Sequence, residues 1–216
     1  MDTWTGDPNS VIASEIRRHS TNKKRQLTIG RENFRREDID VIKRNFSNVK
    51  TILCIGCRDD SEIKTFINSG FDALGIDVSI KSNLIRKCDA HTLTQYFDKV
   101  DFVYASHSLE HMHSPEIVLK NIRQLNPYGV CITLPFQPRT QGSILKHATL
   151  FEIMKVNDLK QSIHEIRNKK EQVLKDLNHS DWDDFKGLGN FELLDWKFRQ
   201  LPNIIEKEIV LYMRFK

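Results

Sequence analysis

The run from Thr51 to Asp77, TILCIGCRDDSEIKTFINSGFDALGID, narrows the possible folds of this chain more than any other stretch. Ile52-Leu53-Cys54-Ile55 is a short apolar run ending at Gly56, and the residues beyond it set Ile63, Phe66 and Ile67 on one helical face. Gly70 stops that helix, and a second apolar run, Ala73-Leu74-Gly75-Ile76, closes on Asp77. Strand, glycine turn, helix, strand and acid make a βαβ unit of the kind that holds a nucleoside. The handedness of the crossover brings Gly56 and Asp77 to one edge of the sheet, where a carboxylate can accept from both hydroxyls of a ribose. The same pattern fits a βαβ unit of some other α/β protein in which Asp77 only caps the next helix. The stretch alone leaves both readings open.

The 216 residues suit one domain with an appended arm, and the formal charge of +4 does not argue for nucleic acid. Arg17, Arg18, Lys23, Lys24 and Arg25 cluster near the start, a solvated face first and a polyanion contact second. No window approaches the roughly 18 consecutive apolar residues of a membrane span. MDTWTGDPNS lacks a basic-then-apolar leader, so the expected location is cytoplasmic. Cys54 and Cys57 have C-x-x-C spacing, but no second pair completes a zinc site. Cys54, Cys57, Cys88 and Cys131 therefore read as buried small hydrophobes, and no metal site is expected.

Further along, RREDIDVIKRNF places Ile39, Val41, Ile42 and Phe46 near one face of a helix preceding the first strand. After Asp77 the chain predicts a third strand over Leu84–Cys88 and a fourth over Val100–Ala105. A helix then starts at Ser114-Pro115-Glu116 with an N-cap, a first-turn proline and an acid at its positive end. Val130–Leu134 is a fifth strand that Pro135 should end. Near-continuous apolar strands alternating with helices imply a mostly parallel sheet covered on both faces, with ligands off the carboxyl ends of the strands. Residues 136–190 are expected to form an insertion or lid containing a charged helix near 157–177. Phe191–Gln200 and Glu206–Phe215, joined by LPNII, have the spacing of an antiparallel hairpin at the sheet edge.

The run from Val100 to Leu134, with Ser106, Leu109-Glu110-His111, Pro115 and Leu125-Asn126-Pro127-Tyr128-Gly129, resembles the fourth-to-fifth-strand region of class I S-adenosylmethionine-dependent methyltransferases, type 11-like. Gly75-Ile76-Asp77 and Cys88-Asp89-Ala90 match that family's second- and third-strand acids. The resemblance implies an α/β, Rossmann-like, seven-stranded, mostly parallel sheet with helices on both faces and an antiparallel C-terminal hairpin. It divides the chain into an arm, 1–35, and a methyltransferase domain, 36–216. It also implies S-adenosylmethionine as cofactor: Asp77 on the ribose hydroxyls, Asp89 on the adenine amine beside the Ala90 backbone, Gly56 near the methionine portion, Ser106 and His107 lining the methyl-donor pocket.

The first motif departs from the family, since Cys54-Ile55-Gly56-Cys57-Arg58-Asp59-Asp60 keeps only its first glycine. The chain is similar here to a divergent branch with Gly-x-Arg-x-x-x-Glu, which implies Arg58 on the cofactor's carboxylate and Asp59 or Glu62 on its amino group. The competing reading is an Arg58–Glu62 surface pair at i,i+4. A base for the methyl acceptor would come from His107, His111 or His147, though for His111 fixing the turn before the helix is the first reading and catalysis the second. The expected acceptor is a small molecule, sugar or lipid-linked glycan. One alternative is a metal-assisted RNA 2′-O-methyltransferase using His107, Glu110, His111 and His147; another is a non-catalytic scaffold of the same fold.

Overall fold

In a computed structural model of the chain, the described residues are 29–57, 59–79, 82–112, 114–136, 191–200 and 207–215. The N-terminal arm up to residue 28, Arg58, His113, the 137–190 segment with His147, and LPNII lie outside them, as does the side chain of Glu110. The elements are α1 (Ile29–Asn45), β1 (Thr51–Ile55), α2 (Ser61–Asn68), β2 (Asp72–Asp77), β3 (Ile85–Lys87) and a 3-10 segment (Ala90–Gln95). β4 (Phe102–Ser106), a short 3-10 turn (Leu109–His111), α3 (Pro115–Gln124), β5 (Gly129–Phe136), β6 (Phe191–Gln200) and β7 (Lys207–Phe215) follow.

One seven-stranded sheet runs in the order β3-β2-β1-β4-β5-β7-β6. β1 pairs in parallel with both β2 and β4, so the strand order reverses between β1 and β4. β7 is antiparallel to both β5 and β6, which places it inside the sheet and leaves β6 at the edge. The hairpin is therefore antiparallel as expected, with only one of its strands on the rim.

Strand alternation explains the near-continuous apolar runs. Phe102 and Tyr104 of β4 join Ile39, Ile42, Phe46, Ile63 and Phe66 beneath α1 and α2. Val103 and Ala105 join Leu93, Val118, Leu119 and Ile122 on the α3 side. The side chains of both layers are buried, and no helix of the described residues is long and apolar enough to cross a membrane.

Several expected boundaries move. α1 begins at Ile29, well before Arg36. β3 is shorter than expected, and β4 begins at Phe102 and extends to Ser106. Ser114 occupies the N-cap position of α3 but makes no side-chain cap bond there. Pro135 does not end β5: it pairs in register with Glu208. The Thr133 carbonyl accepts from the His107 amide on the β4 side, and the nitrogen of Pro135, two residues on, faces that same side beyond the end of β4. No ladder bond is lost, which is where a strand tolerates proline. Asn126 takes a φ of 50° in the turn before β5, a conformation asparagine tolerates better than most residues.

Candidate active site

Gly56 turns the chain out of β1 with a φ of 73°. The Gly56 and Cys57 amides both donate to the Ile76 carbonyl, at 2.9 and 3.1 Å, so this turn is hooked to the end of β2. A Cβ at position 56 would lie 2.4 Å from Cβ of Ser108. Only glycine satisfies both the backbone angle and this close approach of the β1 and β4 turns.

Asp77 closes β2 and is buried. Its Oδ1 accepts from the Ser79 amide and hydroxyl, each at 2.8 Å, so the acid does organise the following turn. Its backbone carbonyl accepts from the Cys88 amide at 2.9 Å, which sets Asp77 and Asp89 at adjacent strand ends. Asp89 caps the 3-10 segment, accepting from the His91 amide at 2.9 Å, with Oδ1 2.6 Å from His91 Nδ1. Asn121 of α3 donates to the carbonyls of Ala90 and His91, pinning this segment against the helix. The two acids and the Gly56 turn thus share one edge of the sheet.

Glu62 sits elsewhere in character. It is turned inward, with Oε2 3.8 Å from Arg35 Nε and Oε1 3.9 Å from Cys57 Sγ, while its expected pairing with Arg58 lies outside the described residues. Burial pushes its carboxyl up to about 7, against the pull of Arg35. Cys57 donates to the Cys54 carbonyl at 3.2 Å, and burial raises both thiols, the signature of packed rather than reactive cysteines. All four cysteines are unpaired and buried. Cys54, Cys57 and Glu62 lie close enough to share an ion, though a guanidinium stands beside the only carboxylate.

The raised acid has a consequence for stability. The folded chain holds a proton on Glu62 between about pH 4.5 and 7 that the unfolded chain releases. Its contribution is complete below pH 4.5 and lost as pH rises through 7. Glu62→Gln is expected to stabilise the protein by about 2–3 kcal/mol at pH 8 and by little at pH 4. Urea unfolding at both pH values checks this; an equal effect at each would show that Glu62 is not protonated on folding.

His107 follows β4 with a φ of 50°, and its Nε2 lies 2.7 Å from Oε2 of Glu208 on β7. Glu208 is buried, which by itself would raise its carboxyl. The bond with His107 and the charges of His107, Arg199 and Arg31 hold it below its ordinary value. Ser106 stands one residue before, at the end of β4. His111 closes the 3-10 turn, where its amide donates to the Ser108 carbonyl at 3.0 Å, in keeping with a role in the turn.

Sequence reasoning passed over a buried polar cluster behind this edge. Asp38 of α1 accepts from both terminal nitrogens of Arg199, from Tyr104 OH at 2.7 Å and from Tyr212 OH. Burial, with Asp38 next, pushes the Tyr104 phenol well above its ordinary value. A cleft opens beside this cluster. α1 lines it with Arg31, Phe34 and Arg35, β4 with Tyr104 and Ser106, and the hairpin with Arg199 and Glu208. Two signals were available: Asp38 shares a helical face with Ile39, Ile42 and Phe46, and Glu208 shares a strand face with Val210 and Tyr212.

A 3-2-1-4-5-7-6 sheet with one antiparallel strand and an acid closing its second strand is the class I methyltransferase architecture. A family model described as a methyltransferase domain matches residues 25–183, and the chain belongs to that family; it is an S-adenosylmethionine-dependent methyltransferase. It is similar in structure to 1,6-didemethyltoxoflavin-N1-methyltransferase of Burkholderia thailandensis, bound to 1,6-didemethyltoxoflavin and S-adenosylhomocysteine. The TM-score is 0.62 at 13% identity over 100% of this chain and 93% of that one. The N-methyltransferase NodS from Bradyrhizobium japonicum WM9, with S-adenosylhomocysteine, gives 0.56 at 12% identity over 97% and 99%. The plantazolicin methyltransferase BpumL, with a pentazolic desmethylPZN analogue and S-adenosylhomocysteine, gives 0.51 at 14% over 97% and 95%. No curated protein matches the chain.

The residues present suit the cofactor. The buried Asp77 carboxylate stands at the end of β2, Asp89 is one backbone hydrogen bond away, and the Gly56 turn carries no side chain between them and β4.

Proposed function

We propose that the chain transfers a methyl group in line to a small-molecule acceptor, a sugar or lipid-linked glycan precursor among the candidates. Bound S-adenosylmethionine supplies a methyl already activated on a sulfonium, so the protein's work is to orient, to exclude water and to move a proton. In this reading Asp77 receives the ribose hydroxyls, Asp89 and the Ala90 backbone the adenine, and Gly56 and Ser106 flank the methionyl arm. Residues 36–216 form the catalytic domain, and 1–35 with 136–190 shape the acceptor's surroundings.

The observation that carries the reading is the His107–Glu208 contact of 2.7 Å at the end of β4, two strands from Asp77. Glu208, ionised, only accepts, so the proton of the neutral ring sits on Nε2 and Nδ1 is its basic nitrogen. In this reading His107, in its uncharged form, takes the acceptor's proton as the methyl is transferred. The acceptors bound in the toxoflavin enzyme and in BpumL support a small-molecule class.

Calorimetry with S-adenosylhomocysteine tests the cofactor half. Micromolar binding is expected, and Asp77→Asn, which keeps an oxygen for Ser79, is expected to weaken it about tenfold to a hundredfold. Absence of binding to the unaltered protein at millimolar ligand would overturn the proposal.

A further inference from the structure

Two donors of one residue converge on a single oxygen of Asp89. Its Oδ1 accepts from the His91 amide at 2.9 Å and lies 2.6 Å from His91 Nδ1. The far side of that ring settles which nitrogen carries the proton. The Ser114 amide, at the start of α3, stands 3.3 Å from Nε2, and an amide N–H can only donate. Nε2 therefore accepts, so the neutral ring keeps its proton on Nδ1 and donates it to Asp89. Amide and ring together fix the rotation of the carboxylate as well as its place. The ring is 12% exposed and the carboxylate 31%, so the imidazole is packed behind an acid that still reaches solvent. Asn121 donates to the carbonyls of Ala90 and His91, at 3.2 and 2.7 Å, and ties the backbone under the ring to the same helix. The backbone amide alone completes the cap of the 3-10 segment, so the ring is an addition that capping does not require.

We propose that His91 is a positioning residue for the cofactor: it turns the Asp89 carboxylate to face the amine of adenine and so sets the preference for an amino-substituted base. The inference rests on the methyl-transfer reading, in which Asp89 meets that amine. The amine donates in the plane of the base, and a carboxylate accepts best near its own plane. A carboxylate left to rotate would lose part of the bond in becoming ordered, whereas one already oriented does not. His91, held by Ser114 on one side and through its carbonyl by Asn121 on the other, supplies that order before the ligand arrives. Its action is on Asp89, not on the base.

The test is calorimetry with S-adenosylhomocysteine and with its 6-deamino analogue, which carries hydrogen in place of the adenine amine. The quantity read is the ratio of the two affinities, which does not change with the fraction of protein that folds. The unaltered chain should prefer the amine by about tenfold to a hundredfold, the range of a hydrogen bond to a charged group. His91→Leu and His91→Phe remove the donor and should reduce that preference by about threefold to tenfold, through weaker binding of the adenosyl ligand alone. His91→Asn, whose amide can donate from near the place of Nδ1, should restore most of it, and Asp89→Ala should abolish it. A ratio unchanged in both the Leu and Phe variants, or two affinities that fall together, overturns the proposal and leaves His91 a packing residue. An unaltered chain that binds both ligands equally overturns it as well. Either result leaves the methyl-transfer reading intact, which fails only if the unaltered protein binds no S-adenosylhomocysteine.

Discussion

An Asp38→Ala chain should lose about 3–5 kcal/mol of unfolding free energy, the cost of removing one partner from a buried ion pair. Asp38 is fully buried and accepts from Arg199, Tyr104 and Tyr212 at once, so its removal strands a guanidinium and two phenols without water to replace it. The penalty lies in what is left behind more than in the attraction that is lost. Replacing both members, as in Asp38→Leu/Arg199→Met, should therefore recover the share of the guanidinium while the Tyr104 and Tyr212 hydroxyls stay unmatched. Urea denaturation of the three chains at neutral pH measures it. A single-variant loss below about 1 kcal/mol would mean that the cluster is open to solvent, as exposed pairs contribute only that much.

The second large effect is on rate. His107→Asn should slow methyl transfer by a factor of about 10²–10⁴, the range that a positioned general base supplies. Asparagine is the informative replacement because it tolerates the positive φ that His107 adopts, so the turn after β4 is retained while the base is removed. Glu208→Gln should cost less, since an amide oxygen still accepts from Nε2 but no longer stabilises a charged ring. The measurement is release of S-adenosylhomocysteine under single-turnover conditions, with cofactor binding checked separately. A His107→Asn enzyme as fast as the parent would remove the base from the mechanism.

The parts of this structure visible in the sequence were those that repeat or that follow from backbone rules. Gly56, Gly70 and the acid of Gly75-Ile76-Asp77 mark turns and a strand end that the structure contains. Glycine at 129 is also accounted for, because a Cβ there would lie 2.3 Å from the ring of Phe46, just past the end of α1. What could not be read was which polar residues face inward. Arg35 and Asp38 lie in a charged run that looks solvated, yet the stripe holding Ile39, Ile42 and Phe46 carries them beneath the helix. Arg199, the partner of Asp38, is 161 residues from it, and Glu208 is 101 from His107. No local pattern reports contacts at such separations. Glu62 is a similar case: its place in the first turn of α2 gives no local sign that it faces Arg35 and the thiols.

The placement of β7 between β5 and β6 also bears on the order in which the molecule is made. As the ribosome delivers the chain, β5 emerges with one flank bare and waits some seventy residues, at about 5–20 residues per second, for the strand that zips onto it. Glu208 arrives on that late strand, so a nascent polypeptide already displaying the nucleoside edge has no companion for its histidine. Only once β7 has joined the sheet does the turn after β4 gain its tie to the hairpin.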